Sequence, residues 1–219
     1  SMVADQDGMI WMGTYGRGVY YWSSADAVEN WTAAQGLSGS LIWSIARGDA
    51  RSVWLAGEAG AEVLVPAESH AHRWPLAVAP PNQAHAVIAD GKGAIWYFLF
   101  DGRVLRYDLA TGQRTDVAVL PYLVRGGYLD RAGHFWAYTL GGLYEIDPAS
   151  RTVTAAAPSL IPSTMCSDIA EDADGRLWVA CSSGLYRHNA GGWARIHVQP
   201  EESSGGYENV AVTPDGRLW

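Results

Sequence analysis

The chain has 219 residues, enough for one domain with a sizeable core. Apolar residues make up 48% and charged residues 17%, which excludes a disordered chain. With a net charge of −8 and no Lys/Arg run, nucleic-acid and anionic-membrane partners are not expected, and no apolar stretch nears the length of a membrane helix.

Along the chain, short runs rich in β-branched and aromatic residues alternate with Gly, Asp and Pro turns. The first group is Met9-Ile10-Trp11 after the turn Asp5–Gly8, then Gly18-Val19-Tyr20-Tyr21, then Trp31-Thr32. The second is Leu41–Ile45, a degenerate Asp49–Trp54, Glu62–Val65 and Arg73-Trp74. The third holds Ala86–Ile88, Gly93–Trp96 and Gly102–Tyr107, and the fourth holds Gly133–Trp136, Gly142–Ile146 and Thr152–Thr154. The fifth is Cys166–Ile169, Gly175–Trp178, Gly184–Arg187 and Trp193–Ile196, and a partial group follows with Asn209–Val212 and Gly216–Trp219.

The motif tryptophans stand at 11, 54, 96, 136, 178 and 219, with steps of 43, 42, 40, 42 and 41 residues. Runs of this length suit strands, and no helical period is sustained. Four strands in a period of about 42 residues is the arithmetic of a propeller blade. The expected fold is therefore all-β: a β-propeller of five four-stranded blades in a single domain, 1–219. Its repeats are placed at approximately 1–33, 41–75, 83–118, 122–155 and 165–197. Residues 207–219 are expected to complete the first blade by strand exchange, which would remove two exposed edges. The alternative is an arc of a larger propeller. The chain opens with Ser1-Met2 and stops at Trp219 in mid-motif, so a longer parent is expected.

Each motif has a bland reading beside the functional one. The Asp-x-Asp-Gly turns (Asp5–Gly8, Asp172–Gly175) lack the remaining oxygen ligands of a calcium loop and are read as tight turns, with Asp capping its own backbone and Gly at positive φ. The in-phase tryptophans are read as core; Trp22 and Trp43 are out of phase and are candidates for ligand contact. Cys166 and Cys181 lie symmetrically about the Ala173-Asp174 turn and so face each other on paired strands. They form either a disulfide, which export would favour, or a pair of small buried residues. The histidines make no metal-ligand pattern; His70 and His72 share one side of an outer run, and His85 begins an inner strand. No Gly-x-Ser-x-Gly elbow occurs, so no catalytic residue, cofactor or metal is expected.

The segment Ile169–Ala180 followed by Gly184-Leu185-Tyr186-Arg187, and Trp11–Thr14 followed by Gly16–Tyr20, resemble the two-component regulator propeller repeat. The resemblance covers nearly the whole chain and is weakest over 49–90. It implies a periplasmic or extracellular sensor region of a bacterial histidine kinase or diguanylate cyclase, often one responding to saccharides, although such sensors usually have many more than five blades. In repeat style the streptogramin lyases are more distantly similar. A ligand is expected at the mouth of the channel, where repeat phase gathers Tyr15, Arg17, Trp43, Glu58, His85, Tyr122, Arg125 and Glu208. Aromatic plates with charged hydrogen-bonding groups suit a sugar or a small acid. A propeller enzyme using residues such as His85 and Glu208 is the second reading. A protein-docking or homodimeric scaffold is the third.

Overall fold

The computed structural model describes residues 1–5, 7–24, 27–48, 52–65, 83–161, 163–197, 206–213 and 215–219. It divides into two compact units, Ser1–Val117 and Ala118–Trp219. The expected run at Arg73-Trp74 and the pair His70 and His72 lie outside the described residues.

The first unit holds three antiparallel blades. In the first, β1 (Met2–Ala4), β2 (Ile10–Gly13), β3 (Val19–Ser24) and β4 (Ala27–Trp31) lie in sequence order. The second comprises β5 (Ile42–Arg47), β6 (Val53–Gly57) and β7 (Gly60–Leu64) among the described residues. The third comprises β8 (Ala84–Ala89), β9 (Ala94–Leu99), β10 (Arg103–Asp108) and β11 (Arg114–Val119), whose end passes into the second unit. The second unit adds blade four, of β12 (Val124–Leu129), β13 (Phe135–Thr139), β14 (Gly142–Asp147) and β15 (Thr152–Ala155). Blade five is β16 (Cys166–Glu171), β17 (Leu177–Cys181), β18 (Gly184–Asn189) and β19 (Gly192–Ile196). Sheets that each keep their strands in chain order are the blades of a β-propeller, as the period predicts.

One expectation is corrected. Residues 207–219 do not supply the inner strand of the first blade, because β1 already pairs with β2 through Met2↔Met12, Val3↔Trp11 and Ala4↔Ile10. The other edge of β2 is taken by β3, so β2 has no free edge. The C-terminal segment pairs with itself: Ala211 and Trp219 exchange backbone hydrogen bonds of 2.9 and 2.8 Å, and Val212 bridges Leu218.

The tryptophan spacing becomes a register. Trp11, Trp54, Trp96, Trp136 and Trp178 each sit opposite an inner-strand residue, namely Val3, Ala46, Ile88, Tyr128 and Ala170. Trp11, Trp54, Trp96 and Trp136 are buried, whereas Trp178 is half-buried under the Arg187 guanidinium, 5.6 Å from its ring. Trp219 is 73% exposed.

A carboxylate six residues upstream holds four of these indoles. The indole N–H groups of Trp11, Trp96, Trp136 and Trp178 donate to Asp5, Asp90, Asp130 and Asp172 over 2.9–3.0 Å. The other oxygen of each carboxylate closes the preceding turn; in Asp172 it accepts the backbone N–H groups of Asp174 and Arg176. Gly175 in that turn has φ of +78°, a conformation only glycine adopts without strain. The turn reading thus describes half of what each Asp does: the same side chain shapes the hairpin and anchors the motif indole.

Candidate functional site

Every inner strand from β5 onward carries one residue more than its partner. The register slips between Ile42 and Ser44, Ala84 and Ala86, Val124 and Gly126, and Cys166 and Asp168. The bulged residues are Trp43, His85, Arg125 and Ser167, each eleven positions before its motif tryptophan. Glu208 stands at the same offset from Trp219. A bulge bends its strand and re-aims the extra side chain. Three of the eight residues expected at the site (Trp43, His85 and Arg125) therefore share one structural position in successive blades, and Glu208 shares only the sequence offset.

In the first unit the bulge brings two expected residues together. The rings of Trp43 and His85 are 4.3 Å apart, and His85 stacks on Phe100 at 4.7 Å. The hydroxyl of Ser44 accepts the backbone N–H of Val87 at 3.2 Å, tying β5 to β8 beside this stack. Tyr15 bridges Leu41 and is 82% exposed, and the neighbouring Arg17 is exposed as well. Glu58, exposed in the turn between β6 and β7, reaches across to the segment that leads into β5: its carboxylate accepts the backbone N–H groups of Ser40 at 2.7 Å and Leu41 at 3.2 Å. Those two hydrogen bonds hold its carboxyl below the usual range. Glu62, which no sequence signal marked, is only 3% exposed and accepts the Ser38 N–H at 2.7 Å. The buried Tyr97 hydroxyl feels it: burial, and then the Glu62 charge, push the phenol well above its ordinary value.

In the second unit the disulfide Cys166–Cys181 joins directly opposed residues of β16 and β17, immediately before the bulged Ser167. The Ser167 hydroxyl is buried and has no hydrogen-bond partner among the described residues. Sequence reasoning missed it, although its offset from Trp178 was the available signal. Next to it, burial raises the Asp168 carboxyl, against hydrogen bonds from the backbone N–H groups of Val210 at 3.0 Å and Ile169 at 2.9 Å. Tyr138 lies flat over Gly126, where an added Cβ would sit 2.1 Å from the ring. Burial and the Asp168 charge raise its phenol, opposed by Arg125. Arg125 and Glu208 are exposed. Tyr122 covers Gly141, an added Cβ there meeting its ring at 2.4 Å, and its centroid is 6.3 Å from that of Tyr144. The expected residues therefore fall into two sets, one in each unit.

Chemically these sets offer aromatic faces, a guanidinium, carboxyl groups and hydroxyls, a mixture for hydrogen bonding a polar ligand. Among the described residues no three His, Cys, Asp or Glu side chains converge to hold a metal ion. No described helix is long and apolar enough to cross a membrane.

Residues 159–183, which include β16 and β17 of the fifth blade, match the family model described as Two component regulator propeller. No curated protein matches the chain in sequence. Among solved structures, the extracellular domain of the hybrid two component system BT3049 from B. thetaiotaomicron is 17% identical, with a TM-score of 0.80 over 99% of this chain and 31% of that one. The chain thus spans about a third of that domain's length. Virginiamycin B lyase from Staphylococcus aureus is 13% identical, with a TM-score of 0.80 over 100% of this chain and 75% of its own. YCF48 bound to D1 peptide is 17% identical, with a TM-score of 0.72 over 96% of this chain and 71% of its own. At these identities the likeness is one of fold.

Proposed function

We propose that the chain is a non-enzymatic ligand-sensing propeller module of a bacterial signal-transduction receptor, exposed in the periplasm or outside the cell. Its ligand is a small polar molecule such as a saccharide. The observation that carries the reading is the bulge on successive inner strands: Trp43, His85, Arg125 and Ser167 occupy it. A ring face, an imidazole, a guanidinium and a buried unpartnered hydroxyl are recognition groups rather than core fillers. The regulator-propeller repeat at 159–183 and the fold likeness to a two component extracellular domain support the sensor role. The disulfide between Cys166 and Cys181 supports an oxidising compartment.

The test is a thermal-shift and calorimetric screen with mono- and oligosaccharides and small organic acids. A hit should stabilise the chain in a concentration-dependent way and weaken at least tenfold in Arg125→Ala and Ser167→Ala. A hit indifferent to both substitutions would remove the bulge positions from the site, and a uniformly flat screen would defeat the ligand class.

A lyase reading has one observation behind it. His85 is a half-buried imidazole held between two rings, and a streptogramin lyase shares the fold. Incubation with quinupristin, read by mass spectrometry, decides it: a ring-opened product lost in His85→Ala would replace the sensor proposal.

A further inference from the structure

Blades four and five leave between them a cavity of about 550 Å³ that the bulge positions do not line. Register builds its walls. On blade four, Trp136 pairs with Glu145 and Glu145 with Thr154, so three side chains stand in a row on one face. On blade five, Leu177, His188 and Trp193 form the facing row. Both rows line the cavity.

The junctions within the first unit are apolar among the described residues. There the row facing Trp11 is Val53 and Leu64, and that facing Trp54 begins with Ile95, all buried in continuous apolar cores. At the Glu145 position the other blades carry Tyr21, Val63, Arg106 and Arg187. Glu145 is the one acid among the five, and across the cavity from it stands His188, at a position that the other blades fill with Trp22, Leu64, Tyr107 and Ile146.

The charges around the cavity do not balance. Arg176 is answered twice, by Asp172 at 2.7 Å and Asp174 at 2.6 Å. Asp130 is engaged by the Trp136 indole at 2.9 Å and the His134 ring at 3.0 Å. Half-buried Glu145 makes no hydrogen bond or ion pair with a described residue. Around it stand aromatic faces: Trp193 and His188 are 4.8 Å apart, and Trp136 meets Trp193 edge-on at 5.8 Å. An unanswered carboxylate among electron-rich rings attracts a cation that is poorly hydrated and has an apolar surface. The net charge of −8 works in the same direction.

We infer that this inter-blade cavity is a second ligand site, and that it takes a small organic cation held by Glu145 and the rings of Trp136 and Trp193. The test titrates the 219-residue chain with choline and with its neutral isostere 3,3-dimethyl-1-butanol at fixed ionic strength. The readout is the indole N–H resonances of Trp136 and Trp193, assigned through Trp136→Phe and Trp193→Phe. Choline should shift both saturably and bind at least tenfold more tightly than the alcohol, and Glu145→Gln should erase most of that preference without changing the melting temperature. Equal binding of cation and alcohol, an unaltered preference in Glu145→Gln, or no saturable shift with choline would overturn the assignment. A saturable response to glucose in place of choline would overturn the ligand class.

Discussion

Asp172→Ala tests the carboxylate–indole anchor most directly. The side chain is almost fully buried and accepts four hydrogen bonds: from the backbone N–H groups of Asp174 and Arg176 at 3.0 Å each, from Arg176 Nε at 2.7 Å and from Trp178 Nε1 at 2.9 Å. At about 1 kcal/mol net for each bond, less what Arg176 regains from water, the substitution removes about 3 kcal/mol. Asp174→Ala is the control. Its carboxylate is 68% exposed and makes one ion pair with Arg176, worth about 0–0.5 kcal/mol. In urea unfolding followed by circular dichroism, a slope of about 1–3 kcal/mol per M puts the Asp172→Ala midpoint lower by about 1 M or more. The Asp174→Ala midpoint should barely move. The loss should also depend on pH. Burial raises the Asp172 carboxyl, but the Trp178 and Arg176 hydrogen bonds outweigh it and hold the group at about 2, against an ordinary 3.8. A carboxyl depressed on folding contributes fully above its unfolded value and loses that contribution as pH falls through its folded one. The gap between native and Asp172→Ala stability should therefore be full at pH 5 and close steadily towards pH 2. Equal midpoints for the two variants, or a gap that does not change between pH 5 and 2, would refute the anchor.

Breaking the disulfide by Cys166→Ser with Cys181→Ser frees a loop closed over a separation of 15 residues. That should cost about 3 kcal/mol, read as a lower melting temperature, and an unchanged melting temperature would deny the bond a stabilising role. The Tyr97 hydroxyl is buried with no hydrogen-bond partner among the described residues. Tyr97→Phe should accordingly be neutral or stabilising in chemical denaturation; a loss above about 1 kcal/mol would mean the hydroxyl is satisfied in solution.

The fold was legible because a propeller blade repeats a physical constraint. Each blade must present an apolar ring to its neighbour, and Trp11, Trp54, Trp96, Trp136 and Trp178 mark that constraint in plain sequence. The bulges were half legible. Repeat phase pointed to Trp43, His85 and Arg125, but not to why they are special, because an extra residue in one strand shows only when its partner is aligned beside it. Ser167 was passed over because a serine carries no signal until its burial is known. The first strand carries no sequence signal, because three residues, Met2–Ala4, are too few to show an alternating pattern. The inter-blade cavity was not legible at all. His188 and Trp193 belong to outer strands, and only pairing across β18 and β19 and packing against Trp136 bring them to one place.

Blade two shows what happens where the shared device is missing. Six residues before Trp54 stands Gly48, not Asp. An added Cβ at that position would lie 2.1 Å from Ser52 Oγ and 2.7 Å from Trp54 Nε1. The indole and the serine therefore occupy the space in which the other turns hold their carboxylate, so glycine here makes room for the ring rather than merely losing a cap. Four motif indoles are held by a carboxylate, whereas Trp54 takes the same register with a glycine at that position. Since either suffices for packing, the motif constrains the core and leaves the rest of each blade open to change. Glu145, His188 and the bulged residues occupy that remainder, which is why recognition is sought in the departures from the repeat and stability in its regularities.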